Sequence, residues 1–342
     1  MVRMAKKIKK PSISVIICHH AGDLIHRCLD SVYASKNSDF EVIVVTSDKT
    51  LTTPWAACRL IYAQDGPAHK RNVGVSQSKG EYLVFLDDDV EVSPFCLYEL
   101  KKGLEDRPKA GIGFAKIYNM ERRTEFDDCG SWITWTGFLY ARANGHQFDS
   151  GQYDDPCKIL ASKSATCIIR RVVFIKAGGF DQDYYILGEE TDVCWRVVLQ
   201  GPEVWYLPAA HSWHAFGTSL KPPEKYYTKD RIHRLGSRNY TKLLMTNLGV
   251  LRLSFILPIH VSIWVFSAIG FMATGQWSRG YLILAGLWDA LVGLPRTLWK
   301  RKKVQGSRKI SDRELMKIVM HNPPLIYYWD RISTYLKRGL HG

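Results

Sequence analysis

Apolar and polar residues alternate in blocks along the first two-thirds of the chain. The run ISVII (13–17) has the length and composition of a buried strand, and Leu24, Ile25, Cys28, Leu29 and Val32 then recur at helical spacing. EVIVV (41–45) and RLIY (59–62) read as two further strands. GPAHKRNVGVSQSKG (66–80) predicts a helix ended by Gly80, and YLVFL (82–86) a strand after it. Ser93-Pro94 predicts a helix start, an N-cap followed by proline at the first helical position, with Leu97, Leu100 and Leu104 on its apolar face. Strands separated by helices imply βαβ units and a mostly parallel sheet, an α/β fold.

From about residue 231 the pattern changes. RIHRLGSRNYTKLL is a basic amphipathic connector, and 253–274 is an uncharged apolar run long enough for one membrane span, which needs about 20 residues. After the short break GQWSRG, the segment 281–295 is shorter and carries Asp289. The heavily basic flanks, 231–252 and 300–303, against a lone Arg279 in the break favour a hairpin of two spans, while the kink residue Pro258 leaves interfacial helices as the alternative. Ser311 and Glu314 form a capping-box pattern, and LIYYWDRISTYL (325–336) has an aromatic face suited to a membrane interface. The division expected is a catalytic domain over 1–230, a connector over 231–252, hairpin or interfacial helices over 253–298 and a basic amphipathic tail over 299–342. A cut near Asn247 is expected to leave a soluble domain.

Charge sharpens this division. The chain of 342 residues carries a net +14. Up to residue 230 there are 29 Lys+Arg and 29 Asp+Glu; from 231 onward there are 18 and 4, so the whole excess lies in the last third. Basic charge beside long apolar runs points to anionic lipid and away from nucleic acid, which would need that charge interleaved through a soluble face. The eight cysteines have no Cys-x-x-Cys spacing and read as reduced core residues of a cytosolic protein. The basic segment 1–10 precedes no long apolar core, so no signal peptide is expected.

Three acids, Asp87, Asp88 and Asp89, end the strand at 82–86. In parallel sheets ligands bind beyond the carboxyl ends of strands, so these acids face the crevice. A divalent cation relieves their repulsion, and Mg²⁺ favours one or two carboxylates with substrate phosphate oxygens. The competing interpretation is a solvated acidic turn. Asp192 and Arg196, four apart on a helix, read as a structural ion pair.

The blocks PSISVIICHH, EVIVV, HKRNVGVSQSKGEYLVFLDDDV, AGGFDQDYYILGEETDVCWRVVLQG and PAAHSWHAFGTS occur in an order that resembles family 2 glycosyltransferases, in particular their rhamnosyltransferase-like branch. The resemblance runs over about 11–247. It implies a GT-A fold with a Rossmann-like nucleotide-binding sheet, here followed by a membrane-associated helical region. It further implies transfer of a sugar, with inversion, from a nucleotide donor to an acceptor hydroxyl.

The same resemblance implies roles. Asp89 would hold Mg²⁺ or Mn²⁺, with Asp87 or Asp88 on the ribose and sugar side. His214 would complete the metal site; His211 competes, but the spacing to Gly217 and Ser219 favours His214. Glu190, where the family usually has aspartate, would be the general base, with Glu189 as the competing or acceptor-orienting residue. Arg71 and Asn72 would meet the donor, and Cys18, with the loop His19-His20, would lie near its base. Thr46 stands where the family commonly has an aspartate that reads the nucleobase, and Asp48 follows two residues on, so a dTDP-, UDP- or GDP-sugar all stay open. Trp132 and Trp135 could stack on a sugar or lipid acceptor, or simply pack. The acceptor expected is a lipid-linked glycan at the cytoplasmic face of the plasma membrane. A processive polysaccharide synthase is disfavoured by the few apolar segments and by GTSLKPPEKYY, which lacks a QxxRW pattern. A silent membrane scaffold is disfavoured because Asp89, Glu190 and His214 are all retained.

Overall fold

A computed structural model describes residues 11–143, 147–215, 229–326 and 328–329. Its first half follows the apolar pattern closely. Strands β1 (Ile13–His19), β2 (Phe40–Thr46), β3 (Cys58–Tyr62) and β4 (Tyr82–Asp87) alternate with helices α1 (Leu24–Tyr33) and α2 (Pro67–Ser76). The strands lie parallel in the order β4-β1-β2-β3. Residues 13–18 are buried from end to end, as expected of a central parallel strand covered on both faces. The chain runs in opposite directions from β1 to β2 and from β1 to β4, which opens a crevice beyond their carboxyl ends.

Two boundaries differ from expectation. Helix α2 stops at Ser76, and Gly80 does not end it. The Gly80 amide donates to Ser14 Oγ at 2.7 Å, and a Cβ there would sit 2.5 Å from the Ser14 nitrogen, so glycine is needed for a close backbone approach to β1. After β5 (Val90–Val92), helix α3 (Cys96–Glu105) starts two residues later than Ser93-Pro94 suggests, because those residues form the turn whose carbonyl at Ser93 accepts from the Cys96 amide.

The second half adds β6 (Ala110–Asn119), β7 (Phe126–Asp128), the hairpin β8 (Ser131–Ile133) and β9 (Leu139–Ala141), β10 (Cys157–Lys158) and β11 (Thr166–Arg170). Helices α4 (Arg171–Ala177) and α5 (Glu189–Leu199) and the long strand β12 (Glu203–His214) follow. Strand β11 lies antiparallel between β4 and β6, and β12 runs parallel to β6, completing a ten-stranded mixed sheet among the described residues. The short β5 pairs with the end of β12, setting Val90 opposite His214.

Five helices follow: α6 (Lys229–Asn247), α7 (Val250–Ala273), α8 (Trp277–Val292), α9 (Leu294–Gly306) and α10 (Asp312–Val319). Helix α7 is long and apolar enough to cross a membrane, and it contains Pro258. Helices α8 and α9 reach that length only together, across a 62° bend. The Ser311–Glu314 capping box forms as expected. Leu243, Leu244 and Leu248, Val304 of α9, and Leu315 and Met316 of α10 join the same buried cluster as Phe114, Trp195 and Tyr206 of the sheet domain. Arg301 donates to the carbonyls of Met245 and Leu248 at 2.6 Å each, and Gln305 to those of Thr246 and Asn247, so α9 satisfies the end of α6. A cut near Asn247 would remove these α9 and α10 residues from the shared core. The basic residues 1–10, Gly217, Ser219 and most of 325–336 lie outside the described residues.

Candidate active site

The turn after β4 carries the three acids, and they part ways. Asp87 is one-third exposed, whereas Asp88 and Asp89 are buried. Asp88 Oδ2 accepts from the His20 amide at 2.7 Å, which ties the turn to the loop after β1. Asp87 and Asp89 converge with His214, and one potential ligand atom from each lies within 4.8 Å of the others. The β5–β12 pairing causes this convergence, since it delivers His214 beside the turn, and the Ala215 amide donates to the Asp89 carbonyl at 3.0 Å. His211 points elsewhere, edge-on to Tyr118.

His214 sits between two carboxylates, with Nδ1 2.9 Å from Asp127 and Nε2 3.4 Å from Asp89. Burial opposes charge on the ring, but the two acids outweigh it and lift its pKa to about 10. A divalent cation such as Mg²⁺ or Mn²⁺ would displace the Nε2 proton and could be held by the two carboxylates and that nitrogen, with Asp127 fixing the ring from behind. The donor set fits a divalent cation. Asp127 was not singled out from the sequence: it is 87 residues from His214 and looks like any acidic turn. It is held in turn by Lys163 at 2.5 Å.

Across the crevice, α5 opens with Glu189 and Glu190 after Gly188, whose φ is +99°. Acids in the first turn suit the positive end of the helix dipole. Glu189 does not face solvent. It is buried and accepts from Arg71 at 3.2 Å, while the other arm of Arg71 reaches Asp87 at 2.9 Å. Arg71 is itself buried and lies 5.3 Å from the Phe180 ring centre. One guanidinium thus joins the metal-side carboxylate to the acid pair. Glu190 is half-buried, and burial, reinforced by the charge of Glu189, pushes its carboxyl well above the usual range.

The loop before α5 is strained. Tyr185 and Leu187 have φ of 62° and 67°, a region costly for residues with a Cβ. Asn239 of α6 holds it there: its buried amide donates to the carbonyls of Tyr184, Ile186 and Leu187 at 3.0, 2.8 and 2.9 Å. Lys300 of α9 pairs with Asp181 at 2.6 Å and also with Asp183. The Asp192–Arg196 pair forms at 2.6 Å, as the spacing predicts.

The remaining candidates play supporting parts in the geometry. Cys18 is buried opposite Asp87 in the sheet, and burial pushes its thiol up to about 12. Thr46 is fully buried, bonded through Oγ1 to His19 Nδ1 and the Asp48 amide. Asp48 is half-buried, and the hydroxyl and amide of Thr50 hold its carboxyl below the usual range. Asn72 clamps Phe180, donating to its carbonyl at 2.8 Å and accepting from its amide at 3.0 Å. Trp132 Nε1 donates to the Lys158 carbonyl, and the ring lies near Tyr140 and His321. Trp135 is 46% exposed, with its amide donating to Asn322.

Residues 14–168 match the model of "Glycosyl transferase family 2". The chain is 32% identical over 264 residues to "Rhamnosyltransferase WbbL" of Escherichia coli, covering 67% of this chain and 96% of that protein. It is 30% identical over 217 residues to "O-antigen biosynthesis protein RfbC" of Myxococcus xanthus, covering 57% of this chain but only 16% of that much longer protein. In three dimensions it resembles the mannosyltransferase PcManGT of Pyrobaculum calidifontis, solved with GDP-Man and Mn²⁺. The TM-score is 0.51 at 18% identity, covering 83% of this chain and 88% of that one.

Proposed function

The chain belongs to glycosyl transferase family 2, and from that premise we propose that it is a metal-dependent, inverting glycosyltransferase acting on a lipid-linked glycan at the cytoplasmic face of a membrane. The observation that carries the reading is the continuous chain of groups from His214 and Asp89 through Asp87 and Arg71 to Glu189 and Glu190. It brings two carboxylates with an imidazole, and the Glu189–Glu190 pair, to two sides of one crevice. PcManGT, which binds GDP-Man and Mn²⁺, supports a cation at the first site. The likeness to WbbL supports rhamnose as the sugar.

Asp87, Asp89 and His214 would hold the cation. When bound, it supplies positive charge to the diphosphate oxygens of the donor. Asp127 keeps Nε2 of His214 directed at the site. Glu190 takes the proton of the acceptor hydroxyl as its oxygen forms the new bond to the anomeric carbon. The bond from that carbon to the diphosphate breaks on the opposite face, and the electron pair leaves with the diphosphate, which inverts the centre. Arg71 holds Glu189 in place beside Glu190, and burial together with the neighbouring Glu189 gives Glu190 its high proton affinity. The strained loop at 185–187 and Asn239 fix the start of α5, and with it the position of the base.

The test is a thermal-shift screen of dTDP-, UDP- and GDP-sugars with and without Mn²⁺, on the parent and on Asp89→Ala. A ligand selective for the folded state adds about 2.7 kcal/mol at a hundredfold excess over Kd. The parent should respond to one donor only with the cation, and Asp89→Ala should lose that response. Full transfer in excess EDTA would exclude the metal reading.

A further inference from the structure

Helix α6 lies on the catalytic domain along its whole length. Arg231 lies 5.8 Å from the Tyr185 ring centre, Arg238 donates to the Asp183 carbonyl, Asn239 holds the loop at 184–187, and Leu243 and Leu244 enter the core. Helices α7 and α8 lie on α6 in turn. Arg234 pairs with Asp289 at 2.6 Å, and Ser237 donates to the Ile283 carbonyl at 2.9 Å. His233 meets the Phe271 ring edge-on. At Gly286 a Cβ would sit 2.1 Å from the Arg234 carbonyl oxygen, so α6 and α8 touch backbone to backbone. Midway along α7, His260 and Trp264 pack on Phe138 in the β8–β9 turn, with ring centres 4.3 and 5.3 Å apart.

These contacts conflict with a spanning hairpin. At 1.5 Å per residue, His260 lies about 15 Å and Phe271 about 32 Å from the start of α7. Were α7 perpendicular to a hydrocarbon core of about 30 Å, Phe138 would sit near its middle. Arg231, Arg234 and the loop that leads into Glu190 would be drawn into the bilayer with it. Irregular backbone and charged side chains at that depth are costly.

The outer face has the opposite character. Phe255, Phe266 and Ile269 of α7, and Tyr281, Trp288 and Leu291 of α8, are large and exposed. Trp288 and Leu291 also rim an apolar groove of about 430 Å³ between α6, α7 and α8. Exposed Arg252, Lys302 and Lys303 add positive charge on the same helical layer. Apolar and aromatic side chains edged by cations complement an anionic lipid surface.

We propose that α7 and α8 lie in the plane of an anionic membrane interface, with their exposed face in the lipid, and do not cross it. The inference rests on the membrane-attached reading above and decides its geometry. It places the loop before Glu190 on the layer that sits directly above the lipid, within reach of a lipid-borne acceptor.

The experiment uses the full chain with sealed vesicles of phosphatidylcholine, with or without 30 mol% phosphatidylglycerol. Sedimentation should show binding that strengthens with the anionic lipid. Gln276→Cys, in the α7–α8 turn, is then probed with an impermeant thiol reagent added outside, against the parent chain as background. Labelling without detergent is expected. Labelling only after detergent would overturn the in-plane geometry while leaving membrane attachment standing. No binding to either vesicle would overturn both, as would a stable dimer that buries this face and ignores vesicles. Trp288→Glu should weaken binding severalfold, and Lys302→Glu with Lys303→Glu by about fivefold or more per residue. Donor binding should persist in both variants; unchanged vesicle affinity in both would overturn the assignment of this face.

Discussion

Arg71→Met removes a buried cation on which two carboxylates depend. Glu189 is 7% exposed and Asp87 32% exposed, and both accept from the same guanidinium. Breaking a buried ion pair from one side costs about 3–5 kcal/mol, since the remaining charge stays desolvated. Water screens the Asp87 end, so the cost rests chiefly on Glu189, and about 3 kcal/mol is expected. At roughly 2 °C per kcal/mol for a chain of this size, the melting temperature should fall by about 6 °C. The assay is thermal unfolding of the parent, Arg71→Met, Glu189→Gln and the double variant. If the loss comes from a stranded carboxylate, the double variant should recover most of it, giving a coupling well above the additive expectation. A loss under about 1 kcal/mol, or strict additivity, would refute the argument that Arg71 is held by Glu189.

Glu190→Gln should keep donor binding and lower kcat by about 10²–10⁴-fold in a transfer assay, the usual contribution of a general base. Because the Glu190 pKa is raised, its preference for the neutral form stabilises the fold at low pH and is lost as pH rises through the folded value; activity should instead rise through that same range. In a pH profile of kcat/KM, Glu189→Gln should move this acid limb to lower pH, and an unmoved limb would separate the two carboxyls. Asp127→Asn should weaken Mn²⁺ binding about 10–100-fold by calorimetry without donor, and unchanged affinity would remove Asp127 from the site. Asn239→Ala strands three carbonyls of a strained loop, so stability should drop by about 1–3 kcal/mol and kcat should fall while donor affinity holds. A chain cut after Asn247 should fail to give a folded soluble domain by circular dichroism, because it loses Arg301, Gln305, Val304 and Leu315 from the shared core.

The sequence made the parallel half of the sheet legible because β1, β2 and β4 are continuous apolar runs, a signal that stands without partners. It also marked the acids at 87–89, since charge at the end of such a run has few other readings, whereas the acids at 189–190 were marked only by the family resemblance. The antiparallel insertion of β11 was not legible: TCIIR is short, and its place between β4 and β6 is fixed only by tertiary pairing. Burial decided what local chemistry left open. Glu189 and Glu190 are adjacent and chemically alike, yet one is paired with Arg71 and the other is not. Asp127 and Asn239 act across 87 and about 53 residues of chain, distances over which a single sequence carries no pairing signal.

Helix α6 is both a wall of the catalytic core and the support on which α7 and α8 rest. Anchor and enzyme therefore cannot be traded as separate cassettes. A graft that joins the catalytic half of this chain to the C-terminal helices of a relative must match both faces of α6 at once. It must keep Asn239 and Leu244 toward the sheet domain and Arg234 and Ser237 toward α8. Chimeras broken at the change in composition near residue 250 should fail more often than chimeras broken before residue 229. The helices that follow the catalytic domain are expected to evolve as one piece with α6, in step with the loop that leads into the base.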